Sequence, residues 1–279
     1  PHGVVNGLVS ALRTGRKRAG MAGMANAVLR RASEFQGWHE LPVQRLPGWL
    51  RRRLKGVHGE DIVQAIEAAH HASPPIDLTL KPGFAVAPDG IALPNGSLRI
   101  EAGVQVSALA GFEAGDWWVQ DAAAALPATL LAAQPGESVL DLCAAPGGKT
   151  LQLAAAGADV TALDMSEPRL KRVRENLSRT GLPADVTALT ALQAQMLDSA
   201  LSALKPGGRL VYCTCSLLPD EGEDQVIAAL ARHPDLRVMP LPALPFGRAT
   251  PEGGWRTLPQ DLPGGVDGFY MALLCRNVR

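Results

Sequence analysis

The sequence predicts an α/β protein whose core is a mostly parallel, doubly wound sheet, preceded by a small α+β subdomain and by N-terminal helices. Two observations lead to this. From residue 138 onward, short apolar strand-like runs alternate with helix-like runs, and such alternation builds right-handed crossovers on a parallel sheet. The first of those strands, Val139-Leu140-Asp141-Leu142, runs into the glycine turn Ala145-Pro146-Gly147-Gly148, where doubly wound sheets bind ligands beyond the carboxyl ends of their strands. The 279 residues suffice for about two domains at roughly 150 residues each.

In chain order, Val4, Val5, Leu8, Val9 and Leu12 recur at helical spacing, and a second helix-like run follows over residues 21–32. Residues 1–35 read as part of a helical module. Residues 36–75 read as a helical connector, in which Pro47 opens a short helix and Pro74-Pro75 stops the next, built on Ile62, Ala65, Ile66 and Ala69. Residues 76–118 change texture to strand-like pieces at 76–80, 90–93 and 97–100, broken by Pro82, Asp89-Gly90 and Asn95-Gly96, as in a small sheet-containing subdomain. The alanine-rich stretch 122–133 predicts a helix ending at Pro135-Gly136.

Residues 119–279 then form the doubly wound domain. Its expected elements are strand 138–142, helix 149–156, strand 159–163, a helix capped by Ser166 that buries Leu170, Val173 and Leu177 and stops at Gly181, and strand 186–189. After Thr190 the pattern breaks. The chain passes directly into the helical periodicity of Leu192, Met196, Ala200 and Leu204, and then into strand 209–215. A strand should precede that helix, and a βαβ step takes roughly 30 residues, so a segment is predicted to be missing near Thr190-Ala191.

No run of 18 apolar residues is present, and with 47% hydrophobic and 19% charged residues the chain is expected to be soluble, with no membrane partner and no secretion signal. Cys143, Cys213, Cys215 and Cys275 lack the spacing of a disulfide framework or a zinc site. Reduced thiols, a cytoplasmic location and no metal are expected, and no pattern marks an oligomer interface, so the expectation is a monomer. The zero net charge hides a basic end, because residues 1–60 hold 11 Lys and Arg against 3 Asp and Glu. Arg51-Arg52-Arg53 with Lys55 suits phosphate contacts or, equally, a solvated helix face.

The glycine turn is not a phosphate-cradling P-loop, because the first glycine of that motif would fall at Cys143, nor is it a dinucleotide fingerprint. It offers close backbone approach at Gly147 and Gly148 and a helix N-terminus near Lys149. Asp164, 17 residues after Gly147 and ending the next strand, sits where a carboxylate accepts ribose hydroxyls. An adenosyl ligand without phosphates fits. Lys149 reads equally as a ligand contact or an exposed first-turn lysine.

Residues Asp141-Leu142-Cys143-Ala144-Ala145-Pro146-Gly147-Gly148-Lys149-Thr150, Asp164 with Arg169 and Asn176, Lys205-Pro206-Gly207-Gly208, Thr214-Cys215-Ser216 with Pro219 and Glu223, and Asp267-Gly268-Phe269 resemble the bacterial Fmu/Sun-type ribosomal RNA (cytosine-C5)-methyltransferases and their NOL1/NOP2/Sun (NSUN) relatives. Asn26-Ala27-Val28-Leu29-Arg30-Arg31 resembles the end of their NusB-like RNA-binding domain. The resemblance implies a Rossmann-like class I methyltransferase domain, S-adenosyl-L-methionine as cofactor, and small-subunit 16S ribosomal RNA as partner. Its cofactor-binding positions are Cys143, Ala144, Ala145, Pro146, Gly147, Gly148, Lys149, Asp164 and Arg169. One departure stands out. The family's second signature, Asp-Ala-Pro-Cys-Ser, has no counterpart here, at the place where the strand pattern is already broken.

The chemistry implied is covalent catalysis: a Cys215 thiolate adds to cytosine C6, makes C5 nucleophilic, and leaves after C5 is methylated. The base must be splayed from its stack, as in looped RNA. Cys213 is the competing thiol, expected as core packing one step deeper in the strand; Cys275 is expected to be structural. The same chemistry on transfer RNA, and a non-catalytic donor-binding RNA-binding or ribosome assembly factor, are the alternatives.

Overall fold

In a computed structural model of the chain, residues 2–14, 18–72, 74–188 and 196–277 are described. The Thr190-Ala191 junction, with the segment predicted to be missing there, lies outside these residues. Contacts divide the chain into Pro1–Gln44 and Arg45–Arg279. In the first unit, α1 (His2–Thr14) and α2 (Ala22–Glu34) pack through Val5, Val9 and Ala22, with Leu12 and Leu29 beside them.

The second unit begins with α3 (Gly48–His58) and α4 (Glu60–His71). They turn about Gly59, whose φ of 86° lies in the region only glycine enters freely. Next comes a four-stranded antiparallel sheet ordered β2-β3-β1-β4, from β1 (Ile76–Leu80), β2 (Ile91–Ala92), β3 (Leu98–Ile100) and β4 (Trp117–Val119). The sequence pattern reveals three of these strands. β4 has three residues, too few to show alternation. Within this sheet Asp77 and Arg99 form a buried two-bond ion pair at 2.7 and 2.9 Å, and Asp77 also accepts the Ala122 N–H at 3.1 Å. That ties the sheet to α5 (Ala122–Leu131), whose first turn is capped by Asp121.

The α/β core follows as β5 (Ser138–Asp141), α6 (Gly148–Ala155), β6 (Asp159–Asp164), α7 (Glu167–Thr180) and β7 (Asp185–Ala188), with β5, β6 and β7 parallel in that order. α7 buries Leu170, Val173 and Leu177, and Gly181 closes it in the left-handed conformation. Ser166 occupies the cap position but its side chain makes no capping bond, contrary to the sequence expectation. Asp164 takes the Ser166 N–H instead.

The chain continues through α8 (Met196–Ala203), β8 (Arg209–Thr214), α9 (Glu223–Arg232), β9 (Leu236–Val238), β10 (Arg248–Ala249), β11 (Trp255–Thr257) and β12 (Phe269–Arg276). β12 pairs antiparallel with β8 over six residues and is buried along nearly its whole length. No helix separates β11 from β12, so the chain returns antiparallel. The described strands of this core thus form two sheets, one parallel and one antiparallel. α5 packs on α6, β8 and β12, and Arg209 at the start of β8 bonds both Glu137 oxygens at 2.7 and 2.8 Å, just ahead of β5. Among the described residues no helix is long and apolar enough to cross a membrane, and no His, Cys, Asp and Glu cluster is placed to hold a metal.

Candidate active site

β5 ends at Asp141 and α6 starts at Gly148, so residues 142–147 form a tight turn at the carboxyl edge of the parallel sheet. Gly147 has φ 114°, and a Cβ on Gly148 would lie 3.0 Å from the Gln120 side chain. Both glycines are therefore dictated by space and conformation. Asp164, 4% exposed at the end of β6, accepts the Ala145 N–H at 3.1 Å and the Ser166 N–H at 2.9 Å. Arg169 lies 3.7 Å from the same carboxylate and donates to the Ala145 carbonyl at 2.7 Å, while Asn176 donates to that of Pro146 at 3.2 Å. Asp141 accepts the Thr150 hydroxyl at 2.7 Å, and burial still raises its pKa against the pull of that bond and of Lys149.

Cys143, Ala144, Ala145, Pro146 and Gly147 thus form the turn, Gly148 and Lys149 open α6, Asp164 ends β6, and Arg169 reaches back to the turn from α7. The Cys143 side chain is not set up as a nucleophile, because burial and the charges of Asp141 and Asp164 raise its thiol pKa.

The second loop starts where β8 ends. Cys215 is exposed just past Thr214, and Cys213, one step deeper, packs against the core of α5 and β12. Burial pushes the Cys213 thiol up to about 11, with Lys149 opposing and Asp141, Cys143 and Cys215 adding to the rise. The end of β8 pairs with the start of β12, Thr214 opposite Tyr270. Lys149 reaches across too, its ammonium 5.2 Å from the centre of the Phe269 ring in β12. Cys275 is buried in the other half of β12.

Arg256 and His58, which sequence reasoning did not single out, help Ser216 hold the Cys215 loop. Arg256 donates to the Ser216 carbonyl at 2.7 Å, His58 lies 3.3 Å from that of Leu217, and the Ser216 hydroxyl accepts the Leu218 N–H at 3.2 Å. Glu223 was part of the sequence motif, but nothing marked its partner Arg256, 33 residues on. Asp121, part of the Trp118-Val119-Gln120-Asp121 run that also resembles the family, caps α5 and accepts the Asp267 N–H at 3.0 Å, and burial with repulsion from Asp267 lifts its pKa to about 6. The basic cluster on α3 is largely engaged, since Arg51 pairs with Glu60 and Glu67, Lys55 with Glu60, and Arg53 with Asp220. Less charge is left for a polyanion than the sequence suggests.

A parallel sheet with a glycine turn after one strand and an acid ending the next defines a Rossmann-like, nucleotide-binding class of fold, and solved structures share it. A methyltransferase homologue protein from Pyrococcus horikoshii superposes with a TM-score of 0.67 over 83% of this chain and 95% of that one at 23% identity. NSun6 from Pyrococcus horikoshii with SFG does so at 0.67 over 85% and 100%, at 17% identity. The model of the 16S rRNA methyltransferase RsmB/F family matches residues 128–183 and 182–275. Ribosomal RNA small subunit methyltransferase B of Salmonella typhi is 33% identical over 336 residues, spanning 94% of this chain and 75% of that protein. The chain belongs to the RsmB/F family. That 336-residue match exceeds the chain's own 279 residues by 57, so at least that many positions of the relative face no residue here.

Proposed function

We propose that the chain is an S-adenosyl-L-methionine-dependent methyltransferase that modifies cytosine C5 in small-subunit ribosomal RNA, with Cys215 as its nucleophile. The observation behind this reading is the exposed Cys215 just past β8, whose partner strand β12 begins with the Phe269 ring that carries the Lys149 ammonium of the glycine-turn helix at 5.2 Å. The residues present fit an adenosyl donor. Gly147, at φ 114°, and Gly148, where a Cβ would press on the Gln120 side chain at 3.0 Å, keep the turn as bare backbone, and the Asp164 carboxylate, held by two N–H groups, retains lone pairs for ribose hydroxyls. The bound donor supplies an electrophilic methyl group.

Cytosine C5 is too poor a nucleophile to accept that methyl unaided. Addition of the Cys215 sulfur to C6 moves the ring electron pair toward C5; after C5 is alkylated, loss of its proton and cleavage of the sulfur–C6 bond restore the ring. Arg169 orients the turn and the Asp164 carboxylate, and the Lys149 charge opposes the rise in the Asp141 pKa. Cys213, with its thiol pKa near 11, stays protonated at neutral pH and packs the strand.

Labelled methyl transfer to isolated small-subunit RNA, with nucleoside mass analysis and transfer RNA as a competing substrate, tests the reading. Cys215→Ala is expected to lose on the order of 10³-fold or more in rate, and Cys213→Ala to stay within about tenfold of the parent, as a core substitution does. Undiminished incorporation by Cys215→Ala would remove the covalent mechanism. A second reading, a donor-binding RNA-binding or assembly factor without catalysis, is favoured by the relative's 57 or more positions that face no residue here. It prevails if the parent binds donor and RNA but transfers no methyl group.

A further inference from the structure

The geometry points to Arg256 as the residue that positions Cys215, with Glu223 as its anchor. Arg256, on β11, is 2% exposed, and a guanidinium so deeply buried is costly unless its donors are satisfied. Nε and Nη2 meet the two Glu223 oxygens at 2.7 and 2.5 Å, a bidentate pair. The guanidinium lies 5.3 Å from the centre of the Tyr270 ring, whose hydroxyl donates to Glu252 at 2.7 Å. At Gly222 the backbone passes so close that a Cβ would sit 2.7 Å from Arg256 Nη2 and 2.9 Å from the Tyr270 ring.

The remaining arm, Nη1, turns to the Ser216 carbonyl at 2.7 Å, one residue past the thiol. His58 meets the next carbonyl, that of Leu217. Two consecutive carbonyls are thus fixed by side chains from distant parts of the chain. The direction in which the exposed Cys215 side chain leaves the strand is set by that anchorage. A lysine at 256 supplies the charge but not the planar fork that serves Glu223 and Ser216 together.

The inference rests on Cys215 being the nucleophile, and its test is readable without catalysis. Parent, Arg256→Met, Arg256→Lys and Glu223→Gln are compared by hydrogen exchange, by iodoacetamide labelling of individual cysteines, and by methyl-transfer kinetics. In Arg256→Met the amides of residues 216–218 should exchange about tenfold faster, with those of β6 unchanged. Cys215 labelling should change by about fivefold or more while Cys143 in the same sample stays within about twofold, because only the thiol loop has lost its brace. The kcat should fall by about 20-fold or more with the donor KM held within about twofold, and Arg256→Lys should recover part of it. Should Arg256→Met fail to fold, Glu223→Gln keeps the guanidinium and should show the same pattern more weakly. A folded Arg256→Met or Glu223→Gln with unchanged loop exchange and unchanged Cys215 labelling overturns the positioning role. Altered exchange and labelling beside a parent that transfers no methyl group would support that anchorage and overturn only the cytosine reading.

Discussion

The glycine turn is closed by side chains 19, 24 and 30 residues along the chain from the groups they hold, Asp164, Arg169 and Asn176, whereas the Cys215 loop is closed by Arg256, 40 residues later, and His58, 159 residues earlier. The first set lies on one continuous stretch of chain, from β5 through α7. The second needs the β11–β12 hairpin and α3 to be docked. A perturbation of the antiparallel half should therefore disorder the thiol loop while the donor turn keeps its shape, and the reverse should hold for changes in α7.

The largest expected effect concerns Asp121, which spans both halves by capping α5 and holding Asp267. Its pKa is raised from 3.8 to about 6, so folding favours its protonated form. The stabilisation from this group is fully present below pH 3.8 and is lost as the pH rises through about 6. Relative to Asp121→Asn, the parent should lose up to about 3 kcal/mol between pH 4 and pH 7, read as a difference in urea midpoints. A difference that stays flat with pH would break the link. Next, Asp164→Ala should weaken donor binding by about 10- to 100-fold in calorimetry, the value of one or two charge-assisted hydrogen bonds, and leave Cys215 labelling within about twofold. Equal disturbance of both loops would mean that they are not separately held. The smallest effect is expected at the exposed Arg53–Asp220 pair, where Arg53→Ala should leave the urea midpoint indistinguishable from the parent's, and a clear drop would show that the pair matters.

The same contrast explains what could be read from the sequence. The glycine turn, Asp164 and the parallel strands lie in consecutive segments whose apolar spacing and turn residues announce them. Arg256 sits in the short strand Trp255–Thr257, with neither periodicity nor motif to mark it, and its meaning depends on a pairing with Glu223 that only the folded chain makes. The antiparallel pairing of β8 with β12 joins residues about sixty apart, and no spacing encodes such a register. The basic run on α3 overstated free charge because Glu60 and Glu67, on the following helix, and Asp220, far along the chain, fold back onto it.

Lys149 belongs to the helix behind the glycine turn, yet its ammonium rests on Phe269, the first residue of the last strand. An anion arriving in the cleft and recruiting that ammonium must draw it off the aromatic face, at a cost of about 0.5–2 kcal/mol.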